Sequence, residues 1–286
     1  MLGAAAGCAR LLGLDEQRTA MALGIAASQP VGLREQFGTM SKPLHPGAAA
    51  RTGLMAALMA QQGFTASPRG LEAARGLVQV VSTKCNWAEA TDELGDRFEI
   101  SFNTYKPYAC GIVIHPSIDA CSQLRAQGIT AQQVERIELK VHSLVLELTG
   151  KKEPADGLAA KFSVYHGCAA GLLFGRAGED EFSDAIVTRD DVMALRRKVV
   201  ATVDAAVAEE SADVTAVLTD GRRVPVFVDH AIGSMQRPLS DAALDSKLRD
   251  LAEPVLGGER VGALIAACRG VAAAGDVRAL AALACP

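Results

Sequence analysis

Aromatic side chains are scarce in this sequence, at 4% of residues with one tryptophan and three tyrosines. A sandwich or barrel core leans on large β-formers, so their scarcity beside abundant alanine favours closely packed small-residue helices. A basic surface is also missing. Lys and Arg number 29 against 33 Asp and Glu, for a net charge of −4, and they are scattered. That excludes the electrostatic footprint of a nucleic-acid binder. The seven cysteines form no CxxC pair and no Cys/His cluster at zinc-ligand spacing, so no metal site is expected. An odd, scattered count fits reduced, buried thiols and a cytoplasmic protein. Long apolar runs are absent as well. The opening "MLGAAAGCARLLGL" lacks a basic leader, and Asp15, Glu16 and Arg18 follow too soon for a membrane span, so it reads as a buried helix. There is no glycine-rich phosphate loop, no GxSxG elbow, no internal repeat and no low-complexity linker.

With 49% hydrophobic and 22% charged residues, the 286-residue chain can bury a sizeable core. Its pattern changes twice. Residues 1–101 read as helix after helix: Asp15 is a natural N-cap for "LDEQRTAMALGIAAS", and "HPGAAARTGLMAALMAQQG" ends on Gly63. Residues 102–230 mix strands and helices. "RIELKVHS" alternates at period two, and Asp220-Gly221 joins two alternating runs as a hairpin. Pro116 opens one helix, and "AKFSVYHGCAAGLLFG" is a second, nearly all apolar. Residues 231–286 return to helix, with Ser240 as a cap. The expected fold is mainly α with an α+β insert: an all-helical domain interrupted by an α+β lid.

Candidate chemistry gathers around lysines and histidines beside prolines. In "FGTMSKPLHPGAAARTG", Pro43 and Pro46 bias Lys42 and His45 away from helical geometry, predicting a loop that enters a helix near residue 47. A Lys and a His before a helix N-terminus suit an anion; a solvated lysine beside a loop-capping histidine is the ordinary alternative. "NTYKPYACGIVIHPSIDA" repeats the order with Lys106, Tyr108 and His115, although a lysine next to proline is usually surface and a tyrosine usually core. His142 faces away from its strand's apolar side, toward solvent or a cleft. Tyr165 and His166 lie on the apolar helix, where a satisfied core histidine is the common outcome. Paired cations without a metal motif bind small di- or tricarboxylates, and a His, Lys or Tyr of shifted pKa can take a proton next to a carboxylate. This points to a lyase or isomerase of polycarboxylic acids.

The segments "GTMSKPLHPGAAARTGLMAALMAQQGFT", "KPYACGIVIHPSIDA" and "AKFSVYHGCAAGLLFG", in this order and spacing, resemble the MmgE/PrpD superfamily of 2-methylcitrate dehydratases, cis-aconitate decarboxylases and iminodisuccinate epimerases. The resemblance covers essentially the whole chain. It implies a helical domain built from both chain ends with an α+β lid between them, and a homodimer that needs no cofactor. It also implies catalytic roles for Lys42, His45 and Lys106, with Tyr108, His115, His142 and Tyr165 around the substrate. The decarboxylase pattern has a second His five residues after the lid lysine, where Gly111 stands here, and His142 and "KFSVYH" look closer to epimerase-like branches. The family also carries a helical segment upstream of what is Met1 here, with an acid/base Asp and His; without it "MLGAAAGC" would be an exposed apolar end. The expected function is therefore a dehydratase-type lyase or isomerase; the alternative is a truncated, inactive carboxylate-binding or structural fragment.

Overall fold

The computed structural model describes residues 1–30 and 32–286. The chain forms two compact units, Met1–Glu99 and Ile100–Pro286. The first is helical: α1 (Leu2–Leu11), α2 (Glu16–Ala27), α3 (Ser41–Gln61) and the short α4 (Leu77–Val81) and α5 (Trp87–Thr91). Asp15 caps α2 by accepting the Arg18 N–H at 2.8 Å, and Gly63, at φ +85°, follows the end of α3. Both agree with the sequence pattern. Small residues let these helices touch: Ala5, Ala22, Ala26, Ala56, Ala57 and Ala60 are buried together. The opening segment is accordingly a packed helix within this unit, with Ala5 and Ala9 fully buried. A Cβ on Gly53 would stand 2.4 Å from the Ala4 Cβ and 2.6 Å from the Ala5 nitrogen, so α1 and α3 meet backbone to backbone there.

The expected loop at "SKPLHPG" is overturned. α3 begins at Ser41, so Lys42, Pro43, His45 and Pro46 are all helical. The reason lies in which N–H groups a helix needs. Pro43 is the third helical residue, where no intrahelical donor is required, and Pro46 removes a single bond in a helix of 21 residues. The conformational bias on the residue before proline is outweighed by the packing of the small face that follows.

The second unit carries a four-stranded mixed sheet in the order β2-β1-β3-β4. The strands are β1 (Val134–Val141), β2 (Val199–Val203), β3 (Ala212–Leu218) and β4 (Arg223–Val228). β1 runs parallel to β2 and antiparallel to β3, and β3 and β4 form the hairpin expected at Asp220-Gly221. Around the sheet stand α6 (His115–Ala126), α7 (Ser143–Thr149), α8 (Gly157–Ala160), α9 (Val164–Phe174), α10 (Asp184–Val187) and α11 (Asp190–Arg196). The chain closes with α12 (Asp241–Leu256), α13 (Gly258–Arg269) and α14 (Arg278–Leu283); Ser240 caps α12 as expected, accepting the Ala243 N–H at 3.2 Å. The main core lies here, where Ile114, Ile118, Leu124, Ile137, Leu139 and Leu172 are fully buried. The whole is mainly α with an α+β portion. Among the described residues, no helix is long and apolar enough to cross a membrane.

Gly53→Val forces α1 away from α3 and is expected to destabilise the first unit by about 1–3 kcal/mol, the usual cost of overpacking. Chemical denaturation of the variant against the parent checks this; an unchanged midpoint would show that the helices do not meet at Gly53.

Candidate functional site

Each unit carries candidate residues of its own. In the first, Lys42 and His45 lie one turn apart on α3, hence on one face. Lys42 is exposed and His45 half-buried. His45 is held against the backbone of Gly32, where a Cβ would stand 3.1 Å from its Nδ1; Gly32 sits at φ +101°, which glycine adopts without strain. The helix start offers few free donors. The Ser41 N–H bonds the Thr39 hydroxyl at 3.3 Å, the Lys42 N–H bonds the Thr39 carbonyl at 3.2 Å, and Pro43 has none. Two side chains, and not a nest of amides, are what α3 presents.

In the second unit, Lys106, Tyr108 and His115 meet in one corner. Gly111 and the turn at Ile112–Ile114 bring the chain into α6, whose first residues are His115 and Pro116. The Lys106 Nζ donates to the Cys110 carbonyl at 3.1 Å. The Tyr108 and His115 rings meet edge to face with centroids 5.3 Å apart. His115 is only 3% exposed and its Nε2 is buried without a hydrogen-bond partner. Burial first, and the Lys106 charge next, push its pKa down to about 4, against the pull of the Cys110 carbonyl. The imidazole is therefore neutral at neutral pH. Burial also raises the Tyr108 phenol, reinforced by the Asp119 charge, so that group stays protonated. Lys106 and His115 line a cavity of about 300 Å³ whose other walls include Ile112, Glu209, Ile232 and Met235. On its other side Lys106 faces a second cavity of about 550 Å³, shared with Arg176, Lys247 and Asp250.

The other candidates are differently employed. His142 follows β1 and caps α7, its Nδ1 accepting the Leu144 N–H at 3.3 Å. Tyr165 is buried on α9, and burial raises its phenol. Neither lines the two cavities at Lys106. His166 is a core histidine whose Nε2 bonds the Glu181 carbonyl at 2.8 Å, while its Nδ1 is buried unpaired. Gly111, which replaces the histidine of the decarboxylase pattern, faces Thr149: a Cβ there would lie 3.1 Å from the buried threonine methyl. A side chain at 111 requires that methyl group to give by a few tenths of an ångström. Among the described residues, no group of three His, Cys, Asp or Glu could hold a metal ion.

Sequence reading passed over three residues that the structure adds to this corner. Asp119 lies four positions after His115 on α6, a spacing visible in "HPSIDA". Lys247 donates from α12 to the Lys106 carbonyl at 2.8 Å, and Arg237 reaches Asp119 at 2.8 Å; both bridge more than a hundred residues and leave no local signal.

Comparison with known proteins identifies the family of the chain. Family models match residues 1–90 as the MmgE/PrpD N-terminal domain and residues 108–269 as the MmgE/PrpD C-terminal domain. The chain belongs to the MmgE/PrpD family. A cis-aconitate decarboxylase of Aspergillus terreus is 27% identical over 278 residues, which are 88% of this chain and 56% of that protein. The cis-aconitate decarboxylase of Mus musculus is 25% identical over 286 residues, 92% of this chain and 56% of that protein. The 2-methylcitrate dehydratase of Salmonella typhimurium is 27% identical over 151 residues, 49% of this chain and 31% of that protein. This MmgE/PrpD chain thus spans little more than half the length of the decarboxylases it matches.

The buried neutral His115 makes stability pH-dependent. Unfolding restores its ordinary pKa near 6.5, so between about 6.5 and 4 the unfolded chain binds a proton that the folded chain refuses. Stability therefore falls as pH drops through that window, by about 2 kcal/mol between pH 7 and 5 from this residue. His166, also lowered by burial, acts in the same direction. Urea unfolding followed by circular dichroism should show the loss, and His115→Asn should shrink it without abolishing it; an equal slope in both proteins would mean that His115 is not buried neutral.

Proposed function

We propose that this MmgE/PrpD chain carries a dehydratase- or decarboxylase-type activity on a small di- or tricarboxylic acid: dehydration begins by removing a proton next to a carboxylate and ends with loss of the neighbouring hydroxyl as water, whereas decarboxylation releases carbon dioxide and returns a proton to the carbon it leaves. One observation carries the reading: an ammonium and a buried neutral imidazole with an unpaired Nε2 share the wall of a cavity sized for a small acid. Lys106 supplies the charge that a carboxylate requires. His115 lines the cavity and holds a buried nitrogen whose hydrogen-bonding capacity nothing in the fold uses. A bound carboxylate raises the basicity of a nearby imidazole, so substrate itself would prepare His115 to take a proton. Tyr108, kept protonated, packs edge to face on the imidazole and so helps to orient it. Lys42 and His45 are retained in the reading as the cation and the proton-transfer partner that the family resemblance assigns to the first unit. His142 and Tyr165, which line neither cavity at Lys106, are retained only as the substrate contacts that the resemblance implies.

The printed names of the relatives support a decarboxylase or dehydratase class, and Gly111 favours the dehydratase side, since it leaves the decarboxylase pattern short of a histidine. The same reading takes the protein as a cytoplasmic homodimer working without a cofactor.

Thermal unfolding with citrate, 2-methylcitrate, cis-aconitate and malate tests the proposal. A ligand at a hundredfold excess over its dissociation constant stabilises the native state by about 2.7 kcal/mol, a shift of several degrees. The expected outcome is a rise with at least one acid that Lys106→Ala abolishes. A rise untouched by Lys106→Ala would remove Lys106 from the site; binding without turnover of any acid in the panel would leave a carboxylate-binding protein.

A further inference from the structure

One wall of the His115 cavity is neither helix nor strand. It is the segment 231–237, of which Ala231, Ile232, Gly233, Ser234 and Met235 line the space. Irregular backbone beside a cavity keeps its shape only where polar contacts over-determine it. Here those contacts converge on one carboxylate. Asp119, one turn along α6 from His115, accepts the Ile232 N–H at 3.3 Å and the Arg237 Nη1 at 2.8 Å on Oδ2, and the Gln123 Nε2 at 3.2 Å on Oδ1. The same Arg237 Nη1 donates to the His230 carbonyl at 2.8 Å. One guanidinium therefore ties both ends of the segment to α6. In the middle, the Gly233 N–H bonds the Arg237 carbonyl at 2.7 Å and the Tyr105 N–H bonds the Gly233 carbonyl at 3.2 Å. Gly233 sits at φ +89°, and a Cβ there would stand 2.2 Å from the Tyr105 carbonyl oxygen, so the segment is pressed against the chain that leads into Lys106. The Asp119 carboxylate is 9% exposed, a buried charge whose cationic partner is 46% exposed.

We propose that Asp119 and Arg237 are positioning residues of this cavity: their ion pair fixes 231–237 as the wall that lines it together with Lys106 and His115, and so sets which acid the cavity admits. The selectivity part rests on the carboxylate reading above. Neither residue lines the His115 cavity, so both act through the wall. They border instead a neighbouring space of about 570 Å³, with Phe227 and His230. The pair is buried on one side only, and it is one of the contacts that have to break if the wall is to move.

The imidazole of His115 reports on the wall without any ligand. The groups that face or charge it are Lys106, Tyr108 and the Cys110 carbonyl from the entering chain, Lys247 from α12, and Glu209 and Glu210 across the cavity. NMR titration of His115 in the full chain, with amide exchange at Ile232 and Gly233, compares the parent with Asp119→Asn and Arg237→Lys. Removing a carboxylate by itself pushes a nearby imidazole pKa down. Opening the wall solvates the ring and pushes it up, so the sign separates the two effects. The expected result for Asp119→Asn is a rise of roughly one unit or more toward the ordinary value, with exchange about tenfold faster. Arg237→Lys, which keeps the charge but loses the fork, should fall between. Glu153→Gln, which breaks the Arg196–Glu153 pair of 2.9 Å elsewhere in the unit, should cost stability and leave His115 unmoved. An unchanged or lowered His115 midpoint in a folded Asp119→Asn overturns the proposal; if that variant does not fold, Arg237→Lys decides it by the same criterion. Binding of citrate and succinate by parent and Arg237→Lys then reads selectivity. A ratio of affinities changed about threefold or more supports it, and equal weakening of both acids overturns it. If neither acid binds the parent, the carboxylate reading and the selectivity part both fall, while the titration still decides whether the pair holds the wall.

Discussion

The second unit depends on how closely α6 and α9 can approach. At Gly171 a Cβ would stand 2.7 Å from the Ile118 carbonyl oxygen, and at Gly167 it would stand 3.0 Å from the Ile118 side chain. The two glycines thus remove the volume that would otherwise hold the helices apart, at some cost in helix propensity. What is gained is burial: Ile114, Ile118, Leu124 and Leu172 all lose contact with water at this junction. Because α6 also packs on β3 and β4, the same approach fixes the start of α6 relative to the sheet. Lys106, Tyr108 and His115 inherit their geometry from that fixed point.

A tightly packed helix pair leaves little freedom to satisfy polar groups, and the unit shows where that constraint bites. His115 Nε2 and His166 Nδ1 are both buried without partners, yet their surroundings differ. His166 is locked in the core by the Glu181 carbonyl and the Phe182 ring, and its spare nitrogen faces no described cavity. His115 belongs to a residue set that lines one. An unpaired buried nitrogen costs stability in either place, but only His115 carries it on a residue beside a cavity. That difference is why His115, and not the equally buried His166, anchors the functional reading.

Charge follows the same logic. Most ion pairs of the unit, such as Arg222–Asp220, are exposed on both sides and contribute little. The Asp119–Arg237 pair has one partner withdrawn from water, and the bonds of Asp119 reach backbone as well as side chain. A carboxylate in that position organises a loop more than it adds stability, since the desolvation of the anion offsets much of the attraction. Lys247, bonded to the Lys106 carbonyl, is the matching device on the other side of the lysine.

Local chemistry was legible in the sequence wherever it acts over a few residues. The Asp15 and Ser240 caps, the Gly63 terminus, the Pro116 start, the alternation of β1 and the Asp220-Gly221 hairpin each depend on neighbours within one turn or one pair of strands. The loop expected at "SKPLHPG" was misread because a proline penalty is also local, whereas the packing of Gly53 and Ala56 that pulls the chain into helix comes from α1 and α2. Lys106, Tyr108 and His115 could be picked out by type and spacing. That His115 is neutral, that Asp119 and Arg237 shape its cavity, and that His142 serves as a helix cap followed only from contacts between segments distant in the chain. Sequence by itself determined the elements and the residue types that could do chemistry; tertiary structure decided which of them are desolvated and paired, because burial and charge depend on what the rest of the chain brings within a few ångströms.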